Sequence, residues 1–283
     1  MSGKLYVCAT PIGNLKDITL RCLETLKEVD LIASEDTRHT IKLLNHYEIK
    51  APLESYHEHN KDIKGKKLIN LLLEGKNIAL VSDAGMPGIC DPGEDLIRLC
   101  YENKIEITVL PGATASITAL ILSGIKTRSY CFEGFLPSNK KARKEVIQRL
   151  KDDTRTYIIY EAPHHLLQTL KELYEQIGNR NISIVKELTK KHENVFKTSL
   201  LEALKYFEEN TPKGEYVLVL EGANEDEVLN KEKEEINNIP IKEHLEQYLS
   251  AGMDIKEAMK KVAKDRGISK RDVYNEIKIK DNN

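Results

Sequence analysis

The sequence lacks the features that would place the protein in a membrane or outside the cell. No apolar run among its 283 residues approaches the roughly 18 residues of a membrane-spanning helix. The first residues also lack the long apolar stretch of a signal peptide. We therefore expect a cytoplasmic protein that neither spans nor anchors in a membrane.

An excess of charge of one sign is also missing. Basic and acidic residues nearly balance, and the formal net charge is −2. The composition as a whole therefore gives no indication of nucleic-acid binding, although a local basic face would be enough to supply it. Hydrophobic residues make up 40% of the chain, which is enough for a packed core.

Cysteine is scarce, and its spacing fits no metal site. The five cysteines form no Cys-x-x-Cys pair, and each stands among apolar residues. This pattern favours small buried side chains over metal ligands, so we expect no bound metal. The five are Cys8, Cys22, Cys90, Cys100 and Cys131.

The common nucleotide fingerprints are absent too. No Gly-x-Gly-x-x-Gly follows the first strand-like segment, which argues against a Rossmann dinucleotide site. No Gly-x-x-x-x-Gly-Lys-Ser/Thr occurs, which argues against a nucleoside-triphosphate P-loop. The glycine-rich first loop of ordinary Rossmann-like methyltransferases is missing as well.

Short apolar runs alternate with helical patterns in the first half of the chain. Residues 4–10 and 77–83 read as strands, and residues 15–29 carry apolar positions at helical spacing. This alternation predicts an α/β fold with a mostly parallel sheet covered on both faces. It is interrupted near residue 136 and then resumes. We expect an N-terminal α/β domain at 1–135, a second α/β domain at 136–223, an acidic linker at 224–239 and a helical, helix-turn-helix-like tail at 240–283.

Three unusual turns follow predicted strands, at residues 8–14, 81–93 and 109–115. In open α/β sheets, ligands lie at the carboxyl ends of strands, where these turns are placed. Glycines such as Gly112 let a ligand approach the backbone. The small residues after Gly112 offer amides at a helix start that could receive an adenosine or a carboxylate. Together the three turns predict a small-molecule site.

These turns belong to a set of motifs that resembles one family. The motifs are LVSDAGMPGICDPG (80–93), LPGATA (110–115), FEGFLP (132–137), YEAPHH (160–165), KELTKKHE (186–193) and KGEYVLVLEG (213–222). Together they resemble the tetrapyrrole-methylase superfamily. ASEDTRHT (33–40) and SYHEHN (55–60) are similar to the branch that 2′-O-methylates a cytidine of 16S ribosomal RNA. The resemblance implies two α/β domains with S-adenosyl-L-methionine in the cleft between them, a homodimer, and small-subunit ribosomal RNA or the assembled subunit as partner.

Cofactor contacts are expected from both domains. The first domain would supply the two glycine turns, and the resemblance adds positions after two strands of the second domain. The predicted contacts are Asp83, Ala84, Gly85, Pro87, Gly88, Ile89, Pro111, Gly112, Ala113, Thr114, Ala115, Glu161, Ala162, Pro163, Gly214 and Glu215.

Methyl transfer to a ribose hydroxyl needs alignment and a group that takes up the proton. We rank His57 first as the base, because an unperturbed imidazole titrates near neutral pH. Glu58 or the Asp36–Arg38 pair could orient His57, and Asp36 is itself a second candidate. Lys190 could stabilise an alkoxide, with Glu187 offsetting its charge. The alternatives are a surface ion pair that caps a helix, for Asp36, and a merely solvated loop, for Lys190.

Basic residues suggest where RNA would bind. The candidates are Arg38, Lys140, Lys141, Arg143, Lys144, Lys270 and Arg271. Such cations could hold phosphates. The alternatives are a solvated helix face for the run at 140–144 and packing or a dimer contact for the tail.

Two other functions stay open at the level of the sequence. A precorrin-type methylase acting on a small molecule would share the fold, but it would need neither the basic segments nor the tail. A non-catalytic RNA-binding or assembly protein could retain an inert cofactor fold, although the intact motif turns argue against it. Methyl transfer to small ribosomal subunits would distinguish the three.

Overall fold

The structure is a computed structural model that describes residues 2–280. Contacts divide the chain into two compact units, one of Met1–Lys151 with Arg155–Gly222 and one of Asp152–Thr154 with Ala223–Asn283. Among the described residues, no helix combines the length and hydropathy that a membrane crossing requires.

The first half of the larger unit is built on a five-stranded parallel sheet. Its strands are ordered β3-β2-β4-β1-β5. The central strand β4 is buried at all four positions, as expected for a parallel sheet covered on both faces. The elements are β1 (Lys4–Cys8), α1 (Leu20–Glu28), β2 (Leu31–Ser34), α2 (Thr37–His46), β3 (Leu53–Ser55), α3 (Lys61–Leu73), β4 (Ile78–Val81), α4 (Gly93–Glu102), β5 (Glu106–Leu110) and α5 (Ala115–Ser123).

The second half of this unit carries a mixed sheet ordered β6-β7-β10-β8-β9. Only the pair β6–β7 is parallel, and the other three pairs are antiparallel. A short loop joins β8 to β9, and such a loop allows only antiparallel pairing. The elements are β6 (Tyr130–Phe135), α6 (Lys140–Arg149), β7 (Thr156–Glu161), α7 (Pro163–Ile177), β8 (Asn181–Lys186), β9 (Asn194–Ser199), α8 (Leu200–Glu209) and β10 (Tyr216–Leu220).

Helix α5 joins the two halves through a shared core. Ala119 and Leu120 of this helix lie in one buried cluster with Ile158, Val185 and Val217 of the second sheet. The first sheet has a core of its own on each face, and the second sheet has a further core on the side away from α5. The predicted two-sheet α/β fold is confirmed, and the shared core packs α5 of the first half against the second sheet.

The smaller unit is helical. Residues 224–239, which the sequence predicts as a linker, contain a helix instead. The Asn224 side chain accepts the amide hydrogens of Asp226 and Glu227, and acidic residues in the first turn favour the positive end of the helix dipole. Capping and charge therefore stabilise a helix that hydrophobic periodicity does not indicate. The elements are α9 (Glu225–Asn238), α10 (Ile241–Ser250), α11 (Ile255–Arg266) and α12 (Lys270–Lys280).

Candidate active site

The three glycine turns of the first half meet at the carboxyl edge of the parallel sheet. Thr10 donates its N–H to Gly85 O at 2.9 Å, and Gly85 returns an N–H bond to Thr10 O at 3.1 Å. The Thr10 hydroxyl also donates to Ser82 O at 3.1 Å. Gly85 has φ +85°, a conformation that favours glycine. The turns after β1 and β4 are thus held together.

Gly112 brings the third turn against the first. A Cβ at Gly112 would lie 2.6 Å from the Ala9 Cβ, so glycine is required for close packing of the two turns. The contact with Ala9 accounts for the missing side chain, and the approach of a ligand to the Gly112 backbone stays a prediction. The consequence of a substitution for the site is indirect, because a side chain here would move the turn.

The start of helix α5 is a candidate for ligand contact, although the Tyr160 hydroxyl already hydrogen-bonds the backbone of Ser116 there. Its N-cap residue Thr114 makes no side-chain capping hydrogen bond. The amides of a helix's first turn lack intrahelical partners, and they favour negative or hydrogen-bond-accepting groups. Pro111 and Gly112 are exposed beside this helix start, and Ala113 is half-buried. These features fit an acceptor group of a small molecule.

Asp91, which the sequence argument missed, shapes the turn after β4. Its Oδ1 accepts the N–H groups of Gly88 at 2.8 Å and Gly93 at 2.7 Å. Gly88 and Cys90 have φ of +85° and +63°. Burial raises the pKa of Asp91, although the two amides oppose this shift. The carboxylate therefore fixes a loop on which the predicted contacts Ala84 and Ile89 are exposed.

The Asp36 carboxylate is engaged in hydrogen bonds and an ion pair with Arg38. It caps α2 through the Arg38 N–H at 2.8 Å and pairs with the Arg38 guanidinium at 2.9 Å. These bonds lower the pKa of Asp36 to about 2. The Asp36 N–H donates to Asp83 Oδ1 at 3.1 Å, which links the ends of β2 and β4. Burial, together with Asp83 and other nearby carboxylates, raises the pKa of Glu35 in the same corner.

His57 is oriented by Asn60 and not by the residues that the sequence suggested. Asn60 Oδ1 accepts the His57 N–H at 2.9 Å, so its amide nitrogen faces His57 Nε2 at 3.0 Å and donates to it. Glu58 pairs instead with Lys61 at 2.7 Å, and Asp36 pairs with Arg38. His57 Nδ1 is buried and has no hydrogen-bond partner within the described part of the chain.

Glu187, Lys190 and Glu215 form one charged cluster in the second half. Lys190 Nζ lies 3.1 Å from Glu187 Oε1 and 2.9 Å from Glu215 Oε2. Partial burial alone would raise the pKa of Glu187, but the Glu215 N–H and Lys190 outweigh it and lower that pKa. Burial would likewise lower the pKa of Lys190, and the two carboxylates outweigh it and raise that pKa. The ion pairs therefore favour the charged forms of Glu187 and Lys190.

This cluster packs against the first glycine turn. A Cβ at Gly13 would lie 2.6 Å from Lys190 Cγ, and one at Gly214 would lie 2.8 Å from Glu187 Cγ. Glu187 and Gly214 have φ of +51° and +89°. The structure therefore brings the predicted Glu187, Lys190, Gly214 and Glu215 together beside the first turn.

A buried network supports the turn after β7. Glu161, only 6% exposed, accepts the Ala162 N–H at 2.9 Å and the hydroxyl of Thr169. Arg143 donates to the same hydroxyl at 2.6 Å and to Glu172 at 2.5 Å. The Glu161 carboxylate is thus engaged by the protein itself and shapes the turn at Ala162.

Arg143 does not lie on the basic surface that the sequence suggested for RNA. Its side chain is 14% exposed, because α6 turns this position toward α7. Lys140, Lys141 and Lys144 of the same helix are exposed. The basic run therefore divides into one inward arginine and three outward lysines.

The fold and its strand-end turns define a two-sheet α/β protein of the methylase type, and comparisons with known proteins agree. A uroporphyrin-III-C-methyltransferase from Thermus thermophilus has the same fold, with a TM-score of 0.56 over 77% of this chain and 94% of that one, at 19% identity. Residues 4–204 match the model of the tetrapyrrole (corrin/porphyrin) methylases.

Two curated relatives are much more similar in sequence. "Ribosomal RNA small subunit methyltransferase I" of Halalkalibacterium halodurans is 49% identical over 96% of this chain and 94% of its own length. The protein of the same name from Thermotoga maritima is 46% identical over 220 residues, which cover 78% of this chain and 99% of that protein.

The chain belongs to the tetrapyrrole (corrin/porphyrin) methylase family. It is a methyltransferase whose methyl donor is S-adenosyl-L-methionine. Among residues 2–280, no three His, Cys, Asp or Glu side chains are grouped so as to hold a metal ion.

Proposed function

We propose that the protein transfers the methyl group of S-adenosyl-L-methionine to the ribose 2′-hydroxyl of a cytidine in small-subunit ribosomal RNA. The choice of substrate is supported by the 49% identity, over nearly the whole chain, to a ribosomal RNA small subunit methyltransferase. The precorrin-type and the non-catalytic alternatives find no comparable support. Because ribosomal RNA is the substrate, the reaction belongs in the cytoplasm.

The cofactor would be held by the glycine turns of the first half and the strand ends of the second. The helix start at Thr114 would suit the polar ends of the cofactor, and the packed turns at Gly85 and Gly112 would provide backbone for close contact. Glu161 would act through the Ala162 turn. When bound, the cofactor supplies a methyl group already activated by a positive sulfur, so the residues must mainly align and deprotonate the hydroxyl.

Two side chains are suited to act on the ribose 2′-hydroxyl of the substrate. His57 would accept the proton, since its Nε2 carries a lone pair. Lys190 would donate to the developing oxyanion. Its two carboxylate partners are Glu187 and Glu215, so the cluster has a formal net charge of about −1. This charge is compatible with the positively charged sulfur of the methyl donor nearby. Alignment of the reacting groups can contribute roughly 7–11 kcal/mol.

RNA would bind to exposed cations outside the turns. Lys140, Lys141 and Lys144 form an outward face of α6, and Arg38 is exposed although it pairs with Asp36. Lys270 and Arg271 are exposed at the start of α12. Each could neutralise a phosphate. The homodimer that the resemblance implies stays a prediction.

The test is transfer of radiolabelled methyl to small ribosomal subunits from cells that lack the modification. Digestion of the RNA to nucleosides should then place the label in 2′-O-methylcytidine. Lys190→Met should reduce single-turnover transfer by about tenfold or more, because it removes an oxyanion donor. Lys191→Met, at the exposed neighbour, is the matched control and should behave as wild type. Label on a tetrapyrrole acid but not on subunits would favour the small-molecule alternative, and label on neither would favour the non-catalytic one.

A further inference from the structure

A shallow groove lies between the first turns of helices α11 and α12 in the smaller unit. Its volume is about 550 Å³, within the range of pockets that hold one small-molecule group. The groove is lined by Ile255, Lys256, Met259, Lys270, Arg271 and Tyr274. Neither the family nor the relatives' names assign a ligand to it.

The floor of the groove is apolar and unusually open to solvent. Ile255 is 57% exposed and Tyr274 is 48% exposed, whereas Met259 is almost buried. Ile255 and Met259 are four residues apart on α11, so they share one face of that helix. Tyr274 brings an aromatic ring to the same place from α12. The result is a small apolar platform with one flat side chain.

The rim of the groove is positive. Lys256, Lys270 and Arg271 are exposed. The charge of Arg271 also acts on the adjacent Asp272 carboxylate and helps to lower its pKa. Three exposed cations around an apolar floor fit a ligand that combines a flat apolar group with negative charges on either side.

We propose that this groove binds one nucleotide of single-stranded RNA. Its base would stack on Tyr274 over Ile255 and Met259, and the flanking phosphates would lie against Lys256, Lys270 and Arg271. Stacking of bases on aromatic rings beside a positive track is the general mode of single-strand binding. The proposal rests on the proposed function, because it takes RNA as the substrate. An acidic protein segment or an anionic membrane is the competing occupant.

The first test is the affinity of the full chain for a fluorescent oligocytidylate, measured by anisotropy. Tyr274→Ala should weaken binding by about fivefold to a hundredfold, and Tyr274→Phe should stay within about twofold of wild type, because stacking needs the ring and not the hydroxyl. Lys270→Ala/Arg271→Ala should lower the slope of log affinity against log salt by about 1.4, or about 0.7 for each lost phosphate contact. The matched control is Lys260→Ala/Lys264→Ala, which removes two exposed lysines of α11 outside the groove.

The second test separates this site from the methyl-transfer reaction. With assembled subunits as substrate, Tyr274→Ala should raise KM and leave the single-turnover rate at saturating subunit unchanged. Equal oligocytidylate affinity of folded Tyr274→Ala and wild type would overturn the groove assignment, even if wild type methylates subunits. Competition by phosphatidylglycerol vesicles that Tyr274→Ala relieves, without any change in RNA affinity, would overturn it in favour of a membrane. If wild type binds RNA through the groove but methylates no subunit, the proposed function fails and the groove stands.

Discussion

At the scale of single residues, His57 is the group that we propose as the base, so its hydrogen bonds matter most to the proposed mechanism. The Asn60 amide nitrogen lies 3.0 Å from Nε2 and donates to it. Nε2 is therefore the ring atom that could accept a proton, and in the proposed reaction the substrate hydroxyl would take the place of the Asn60 amide.

Replacement of His57 by alanine tests that role. We expect single-turnover methyl transfer at saturating cofactor and subunit to fall by about a hundredfold or more, as for loss of a positioned base. The control is His59→Ala, because His59 is an exposed neighbour whose ring lies 6.0 Å from that of His57. A change below about threefold for His57→Ala, with subunit binding intact, would leave positioning as the better account of catalysis.

The roles of individual residues were predictable only where partners are close in the chain. Asp36 precedes a helical run, and a capping pair with Arg38 was one of the interpretations that the sequence allowed. The support of Glu161 by Arg143 and Thr169 was not readable, because it depends on how α6 packs on α7. The role of Asp91 was hidden too, since its two amide partners are in an irregular turn.

At the scale of elements, α6 has one face that packs toward α7 through Arg143 and another that carries three exposed lysines. Arg143→Ala would leave the buried Glu161 carboxylate with one partner fewer, and we expect a loss of about 2–3 kcal/mol in the free energy of unfolding. Urea denaturation measures it. Oligonucleotide affinity should change little, because Arg143 does not reach the outer surface.

Substitutions on the outward face of α6 should affect RNA affinity and leave the free energy of unfolding nearly unchanged. Lys140→Ala/Lys141→Ala/Lys144→Ala should weaken RNA binding and lower its salt dependence, because each lysine can neutralise one phosphate. The free energy of unfolding should change by about 0.5 kcal/mol or less for each of these surface positions. Similar stability losses for Arg143→Ala and the triple variant would contradict the division of faces.

Strongly periodic and aliphatic elements were predictable, and weak ones were not. Strand β4 lies within the strand predicted at residues 77–83, because it is a continuous apolar run. The edge strand β3 consists of only three residues, all half-buried. Three residues are too few to show the alternation of apolar and polar side chains that indicates a strand. Helix α3 is continuous through Gly65, but glycine weakens the helical signal of this segment. The antiparallel order of the second sheet depends on loop lengths and packing that hydrophobic periodicity does not report.

Helix α10 carries a pH-sensitive contact. His244 is 4% exposed, and its Nδ1 accepts the Arg266 Nε hydrogen at 3.2 Å. Burial, and then the Arg266 charge, lower the pKa of His244, while Asp265 at 3.9 Å opposes them. Because the folded-state pKa lies below the unfolded value of about 6.5, the neutral ring contributes stability above that pH. The contribution is lost as pH falls through the folded-state pKa.

Hydrogen exchange of α10 and α11 should therefore accelerate between about pH 7 and pH 5, after correction for the intrinsic rates. His244→Gln should remove this dependence, because the amide oxygen can still accept from Arg266 and does not titrate. The pKa of Asp265 is also lowered, but its contribution is lost only below its ordinary pKa of 3.8, outside this window. Equal acceleration in His244→Gln would assign the effect to other groups.

At the scale of the whole molecule, the chain divides after Gly222. The cores of the larger unit contain no residue beyond Leu220, and the helical tail has its own core around Val262 and Val273. The Thermotoga maritima relative, which bears the same name as the longer relative, matches 220 residues of this chain over 99% of its own length. We therefore expect the larger unit to hold the cofactor, because every predicted contact lies at or before Glu215.

A chain that ends at Ala223 should therefore keep its cofactor site and lose part of its RNA affinity. Calorimetry should give S-adenosylhomocysteine affinity within about twofold of the full chain, because each glycine turn and its packing partners lie before the cut. Affinity for oligocytidylate should fall, and the salt slope should drop by about 2 with the loss of three rim cations. The full chain with Lys270→Ala/Arg271→Ala is the intermediate control. If the shortened chain methylates subunits with unchanged KM, the tail does not read RNA, and the groove of α11 and α12 serves another ligand.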